Sequence, residues 1–238
     1  MRQWLTLCDQ DHPHDSQGFQ RHRVTRAQHE DTRLPTRLID VGVAGQESVK
    51  LWETTLDDRG KYMALSHPWG QPPHFCTYRS NISDHKHGIA LEQLPTTFRD
   101  AILTTRGLGI RFLWIDSICI IQGPDGDFNT EAKRMDQVFS GAYCVIAASS
   151  SLGQRDGFLK PRNEREYVSL QHPGQPPYYV CENIDDFNFH VLESPLNGRG
   201  WVLQEHALAR RTIFFSKYQA YWECGEGVRC ETGTRMTK

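Results

Sequence analysis

Two apolar runs separated by a helical pattern constrain this chain more than any other feature. Phe112–Asp116 reads as a strand whose apolar residues do not alternate, so it should be covered on both faces. Residues 143–149, YCVIAAS, read the same way. Between them the spacing predicts a helix over about 128–141, with Asp127 as its N-cap and Met135, Val138, Phe139 and Ala142 on its inner stripe. A crossover of that length returns the second strand in the direction of the first, which makes 112–116 and 143–148 parallel neighbours or near neighbours in one sheet. The expected fold is α/β: three layers, with a central, mostly parallel sheet flanked by helices and additional strands at both ends.

The remaining segments fit that frame. RLIDV (37–41) and VKLWET (49–54) alternate enough for short strands about a Gly-containing turn, and KYMALSHPWG gives a strand over about 62–66, stopped by Pro68 and Gly70. Residues 71–93 read as a loop. Residues 94–109 read as a helix with Thr96 as N-cap and Phe98, Ala101, Ile102 and Thr105 on one stripe. YVSL (167–170) and PYYVCE (177–182) read as strands, 198–211 as a helix with Trp201, Leu203, Ala207 and Leu208 inward, and TIFFS (212–216) with AYWEC (220–224) as a strand pair. Residues 1–36 are expected to form a polar, flexible lead-in to one domain over 37–238.

Composition narrows the function classes. The 238 residues carry a net charge of −2, so no overall field favours nucleic acid or an anionic membrane. No apolar run approaches the ~18–20 residues that span a bilayer, and the first residues lack the apolar stretch of a secretory signal. Seven cysteines, an odd number without a CxxC, fit a reducing, cytoplasmic setting. Cys8 with His12 and His14, and Cys224 with Cys230, lack zinc-ligand spacing, so no metal is expected. Rossmann, P-loop, HExxH and GxSxG motifs are absent, and no bound cofactor is expected.

One carboxylate stands out. Glu131 lies four residues before Met135, on the apolar face of its helix and one turn from the start. It is either a first-turn carboxylate favoured by the helix dipole or a group aimed into a pocket at the carboxyl end of the preceding strand, where open parallel sheets bind ligands. Asp116, at a strand end, either contacts a ligand or anchors the next loop. Trp69 and Trp114 either stack on a planar ring or, for Trp114 above all, belong to the core. Arg199 either binds phosphate or pairs with Glu205. Gln204 and Glu205 cannot both face inward. A Cys119–His67–Asp116 hydrolase is a further reading, opposed by the isoleucines on both sides of Cys119, which suggest an inert thiol. Ser66, Asp116 and Glu131 are expected to line one cleft.

YMALSHPWG, LPTTFRDAILTTRGLGIRFLWIDSICIIQ, EAKRM and GRGWVLQEHALARR, in this order over residues 62 to about 215, resemble the fungal heterokaryon-incompatibility (HET) domain. His67-Pro68 departs from the usual Tyr at the first of these positions, and the chain ends soon after the motif block, as a short or truncated member would. The resemblance implies an effector of self/non-self recognition and programmed cell death, with a partner recognition protein or a homo-oligomer. It also implies a distant likeness to TIR domains, some of which cleave NAD. On that likeness ALSH (64–67) is the strand-end element, and Phe128-Asn129-Thr130-Glu131 replaces the Trp-x-x-Glu that supplies the catalytic carboxylate. Glu131 is then the catalytic residue and NAD is the substrate; together with the candidates read from the residues themselves, the expected substrate-binding positions are Ser66, Trp69, Gly70, Asp116 and Arg199. The competing class is a non-enzymatic module that signals by assembly.

Overall fold

A computed structural model describes residues 1–11, 32–162 and 166–236. Its strands are β1 (Arg37–Asp40), β2 (Ser48–Glu53), β3 (Tyr62–Ser66), β4 (Thr77–Tyr78), β5 (Ile89–Ala90), β6 (Phe112–Trp114), β7 (Ile121–Gln122), β8 (Cys144–Ala147), β9 (Tyr167–Leu170), β10 (Tyr178–Cys181), β11 (Thr212–Phe215), β12 (Ala220–Cys224), β13 (Gly227–Cys230) and β14 (Arg235–Met236). Among the described residues one ten-stranded sheet has the order β14-β13-β12-β11-β8-β3-β6-β1-β2-β5.

The central four strands, β11, β8, β3 and β6, run parallel. Both flanks are antiparallel, because short turns join β1 to β2 and link β11 through β14, and short turns can only reverse the chain. The expected mostly parallel sheet is therefore confined to the centre, and the whole sheet is mixed. Within that centre the crossover expectation holds: β6 and β8 both pair parallel with β3, Met63 lying opposite Leu113 on one side and Cys144 on the other.

Burial follows the sequence pattern. Every residue of β3, β8 and β11 is buried, as non-alternating apolar strands require. Helix Thr96–Gly107 covers the sheet with Phe98, Ala101, Ile102 and Thr105, the predicted stripe, and Pro95 rather than Thr96 is its N-cap. The crossover helix is interrupted. It runs as α-helix over Phe128–Glu131, as a 3₁₀ turn over Ala132–Arg134, and as α-helix over Met135–Gly141. Its inner residues Met135, Val138, Phe139 and Ala142 are buried as expected, and Trp114 packs edge-on against Phe139, in the core.

Three expectations change. Arg2–Asp11 is a helix that buries Leu5 and Cys8 and ties Asp9 to the Arg211 guanidinium at 2.7 Å, so the chain's first turns dock on the sheet; residues 12–31 of the expected lead-in lie outside the described residues. Residues 71–93 contain β4, helix Ile82–His87 and β5, elements too short to leave a periodic signal. Helix Gly200–Leu208 turns Val202, Glu205 and the following Ala209 inward, while Leu203 is 78% exposed. Ala207 is also exposed and Leu208 half-buried; the side chain of Trp201 lies outside the described residues.

Candidate functional site

The parallel strands bring four chain segments to one carboxyl edge: Ser66-His67 at the end of β3, Asp116 after β6, Ser149-Ser150 after β8 and Ser216 after β11. This edge is where an open parallel sheet offers a ligand site. Helix Gly200–Leu208 adds Glu205 there, since Val202, Glu205 and Ala209 share its inward face at i, i+3 and i+7.

Glu205 is 4% exposed, and its Oε2 accepts the Ser66 hydroxyl at 2.5 Å. Burial raises the Glu205 pKa to about 7; the Asp116 carboxylate adds to the rise, while the Ser66 hydrogen bond and the Arg199 charge oppose it. Arg199, the N-cap of the helix, spends a guanidinium nitrogen on the His67 carbonyl. Asp116 Oδ2 accepts the Trp69 indole N–H at 2.7 Å, and Oδ1 accepts the Ser117 amide at 2.7 Å. Of the two roles the sequence left open, the hydrogen bonds show the anchoring one: Asp116 holds the following turn through Ser117 and the 66–70 loop through Trp69.

His67 is enclosed at 1% exposure, with its ring edge-on to Phe98. Among the described residues neither ring nitrogen has a hydrogen-bond partner. Its Nδ1 stands 3.9 Å from Asp116 Oδ1, beyond hydrogen-bond reach. Burial lowers its pKa to about 4, so the ring is neutral at pH 7 and this contact is no ion pair. Gly70 has φ +74°, and a Cβ there would stand 2.8 Å from the Gly153 Cα, so the 66–70 loop lies against the 151–153 loop because no side chain intervenes.

The structure brings Ser66, Trp69, Asp116 and Arg199 into one neighbourhood and holds Glu131 in another. Glu131 is buried, as its place on the stripe implied, and it accepts from the Thr36 hydroxyl at 3.0 Å and from Arg134 at 3.3 Å. Thr36 immediately precedes β1, so Glu131 is held on the β1 side of β6, whereas the Ser66–Glu205 pair lies on the β3 side. Arg37 lies on the Glu131 side, where it donates to the Cys119 carbonyl at 2.7 Å and pairs with Asp127. The expected grouping of Ser66, Asp116 and Glu131 is thus split at the level of direct partners: among the described residues no hydrogen bond or ion pair joins Glu131 to the other two. Cys119 is wholly buried and its thiol is pushed up to about 12, as the inert reading required.

Glu205 is the residue the sequence reading passed over as a site carboxylate. The signal was the one applied to Glu131, a carboxylate in register with inward apolar positions, but the inner face had been assigned to Leu203 and Ala207.

Beyond Ser150 and Ser216 the same edge opens into a cleft of about 1410 Å³, walled by Phe189, His190 and Tyr218, with the last two rings stacked at 4.2 Å. That exceeds the roughly 300–1,000 Å³ of ordinary small-molecule pockets. A second cavity of about 630 Å³ lies at the opposite, amino edge, where Arg106 donates to the Val41, Gln46 and Ser48 carbonyls and Arg111 pairs with Asp40. Its arginines are engaged in holding loops. No helix among the described residues is long and apolar enough to cross a membrane.

A family model described as "Heterokaryon incompatibility protein (HET)" matches residues 62–205, more than half of the chain, with Glu205 as its last matched residue. No curated protein and no solved structure matches the chain.

Proposed function

The chain belongs to the heterokaryon incompatibility (HET) family, and from its role in incompatibility we propose that it is a self/non-self effector that triggers cell death by cleaving NAD at the Ser66–Glu205 site. The observation that carries this reading is a nearly enclosed carboxylate, hydrogen-bonded by one serine, at the carboxyl edge of the parallel strands. The TIR-like outline suggested by the sequence belongs to the same proposal.

The chemistry needs little equipment. In NAD the nicotinamide is already a cation, so the C1′–N bond can break with its electron pair moving to the ring nitrogen and neutral nicotinamide leaving. No general acid is needed. The ribose then carries oxocarbenium charge, which one preorganised carboxylate stabilises until water adds and gives up a proton. Glu205 is that carboxylate in its ionised form, oriented by the Ser66 hydroxyl. A pyridinium ring beside it favours ionisation, because an opposite charge offsets desolvation. The neutral His67 adds no charge to repel that ring. Trp69, Gly70 and Asp116 shape the approach, and the Arg199 guanidinium is the cation for the pyrophosphate. The stacked aromatic wall of the adjoining cleft suits the adenine. We assign the carboxylate role to Glu205 rather than Glu131, whose Oε1 already accepts from Thr36 and Arg134.

The test is release of free nicotinamide from NAD by the purified chain, with Glu205→Gln as the paired variant. Release by the parent and none by the variant supports the reading; equal release by both removes Glu205 from the chemistry. A second reading, a non-enzymatic module that signals by assembly, is favoured by the exposed apolar hairpin of β9 and β10. Intact NAD together with a death phenotype that survives Glu205→Gln would select it.

A further inference from the structure

We propose that β9 is the self-association edge of this protein, pairing antiparallel with β9 of a second copy. This inference does not rest on Glu205, although Tyr167, Val168, Val180 and Cys181 also line the cleft beside that site. β9 and β10 form a hairpin in which Val168 faces Val180 and Tyr167 faces Cys181. It is a two-stranded sheet of its own, so each strand has one open edge. All eight strand residues are exposed, including Tyr167 (62%), Val168 (61%), Tyr179 (61%) and Val180 (53%). A lone two-stranded hairpin is marginal in water and gains stability when a further strand is added.

The contrast with the main sheet is specific. Its two outer strands, β5 and β14, are two residues long, and β14 carries Arg235. Short and charged edges of this kind discourage pairing between chains. The hairpin has neither protection. Residues 167–181 contain no Lys, Arg, Asp or Glu, in a chain that is 24% charged. Such a surface, exposed and apolar, marks an interaction site.

Charge and backbone chemistry select the occupant and its direction. Self-pairing brings no like charges together within the uncharged segment. Glu166 precedes β9 directly, so a parallel arrangement would set two glutamates side by side, whereas an antiparallel one carries them to opposite ends. Pro176 and Pro177 remove two amide donors beside β10, which leaves β9 as the better edge. An antiparallel pair of identical strands has two-fold symmetry and closes at two chains.

The experiment is light scattering on the full chain from about 1 to about 200 µM, a range that brackets a micromolar dissociation constant. The expected mass rises from one chain to two and stops there. Val168→Lys places a charge at the middle of the paired edge and should hold the chain at one mass, with an unchanged circular dichroism spectrum. If that variant unfolds, Val168→Thr keeps the branched side chain and should weaken the dimer at least about threefold. A chain that stays at one mass throughout, as it would if this edge served a different protein, overturns the proposal. So does a dimer indifferent to both substitutions, and so does growth beyond two chains.

Discussion

Two buried carboxylates face inward from helices at the same edge of this sheet, and their partners separate them. Glu131 is 7% exposed, and an arginine and a threonine hydroxyl share its Oε1. Glu205 is 4% exposed and has one serine hydroxyl, with Asp116 raising its pKa further and no cation in direct contact among the described residues. Burial opposes ionisation of any carboxyl group; a paired cation offsets that and an isolated hydroxyl does so only in part. The first arrangement anchors a helix to the strand beside it. The second holds a group near its titration point at neutral pH, which is where catalytic carboxylates are found.

The comparison can be broken most severely by neutralising each carboxylate in turn. Glu205→Gln should lower nicotinamide release by about 10²–10³-fold or more, the loss typical of removing a preorganised charge stabiliser. Glu131→Gln should leave release within about threefold of the parent. Equal losses would mean that the two sites act together.

Stability should respond in opposite directions. Burial lifts the Glu205 pKa from 4.5 to about 7, so the folded chain holds a proton that the unfolded chain has released between those values. The contribution of this group is fully present below about pH 4.5 and is lost as pH rises through 7. Glu205→Gln should therefore stabilise the fold at pH 8 by on the order of 3 kcal/mol and by little at pH 4.5. Glu131→Gln should cost about 1 kcal/mol at pH 8, because Arg134 is half exposed and its pair is worth little more. Urea melts at the two pH values measure both.

Smaller effects sharpen the same contrast. Release by the parent should rise with pH about a midpoint near 7, since the ionised Glu205 is the active form. Ser66→Ala removes the largest influence that lowers this pKa, so the midpoint should move to higher pH and the rate at pH 7 should fall about tenfold. Arg199→Gln should move the midpoint the same way by less, because its charge is the weaker opposing influence. A pH–rate profile for each variant reads both shifts.

The central fold was legible because 112–116 and 143–149 are continuous apolar runs, and full burial of β8 demands just that pattern. The short pieces between 71 and 93 were not legible. β4 pairs with β7, some forty residues away, and its two residues carry no period of their own. The edge chemistry was half legible. The place of Ser66 and Asp116 at the sheet edge was legible because strand ends are visible in sequence, whereas the Ser66–Glu205 contact depends on how Gly200–Leu208 rolls against the sheet. Leu203 argued for one face by its hydropathy and the packed helix presents another, with Val202 inward. Glu131 showed the converse limit: periodicity identified its burial correctly, but the hydroxyl and guanidinium that donate to it come from Thr36 and Arg134, and no pattern within the helix announces the first.

The most direct measurement is a carbon-13 titration of the glutamate carboxyl carbons in the folded chain. The account predicts one resonance that titrates near pH 7 and is the resonance missing from Glu205→Gln. A resonance absent from Glu205→Gln that instead titrates near the ordinary value of about 4.3 would contradict it, because Glu205 would then be solvated or paired as an unremarkable surface carboxylate is.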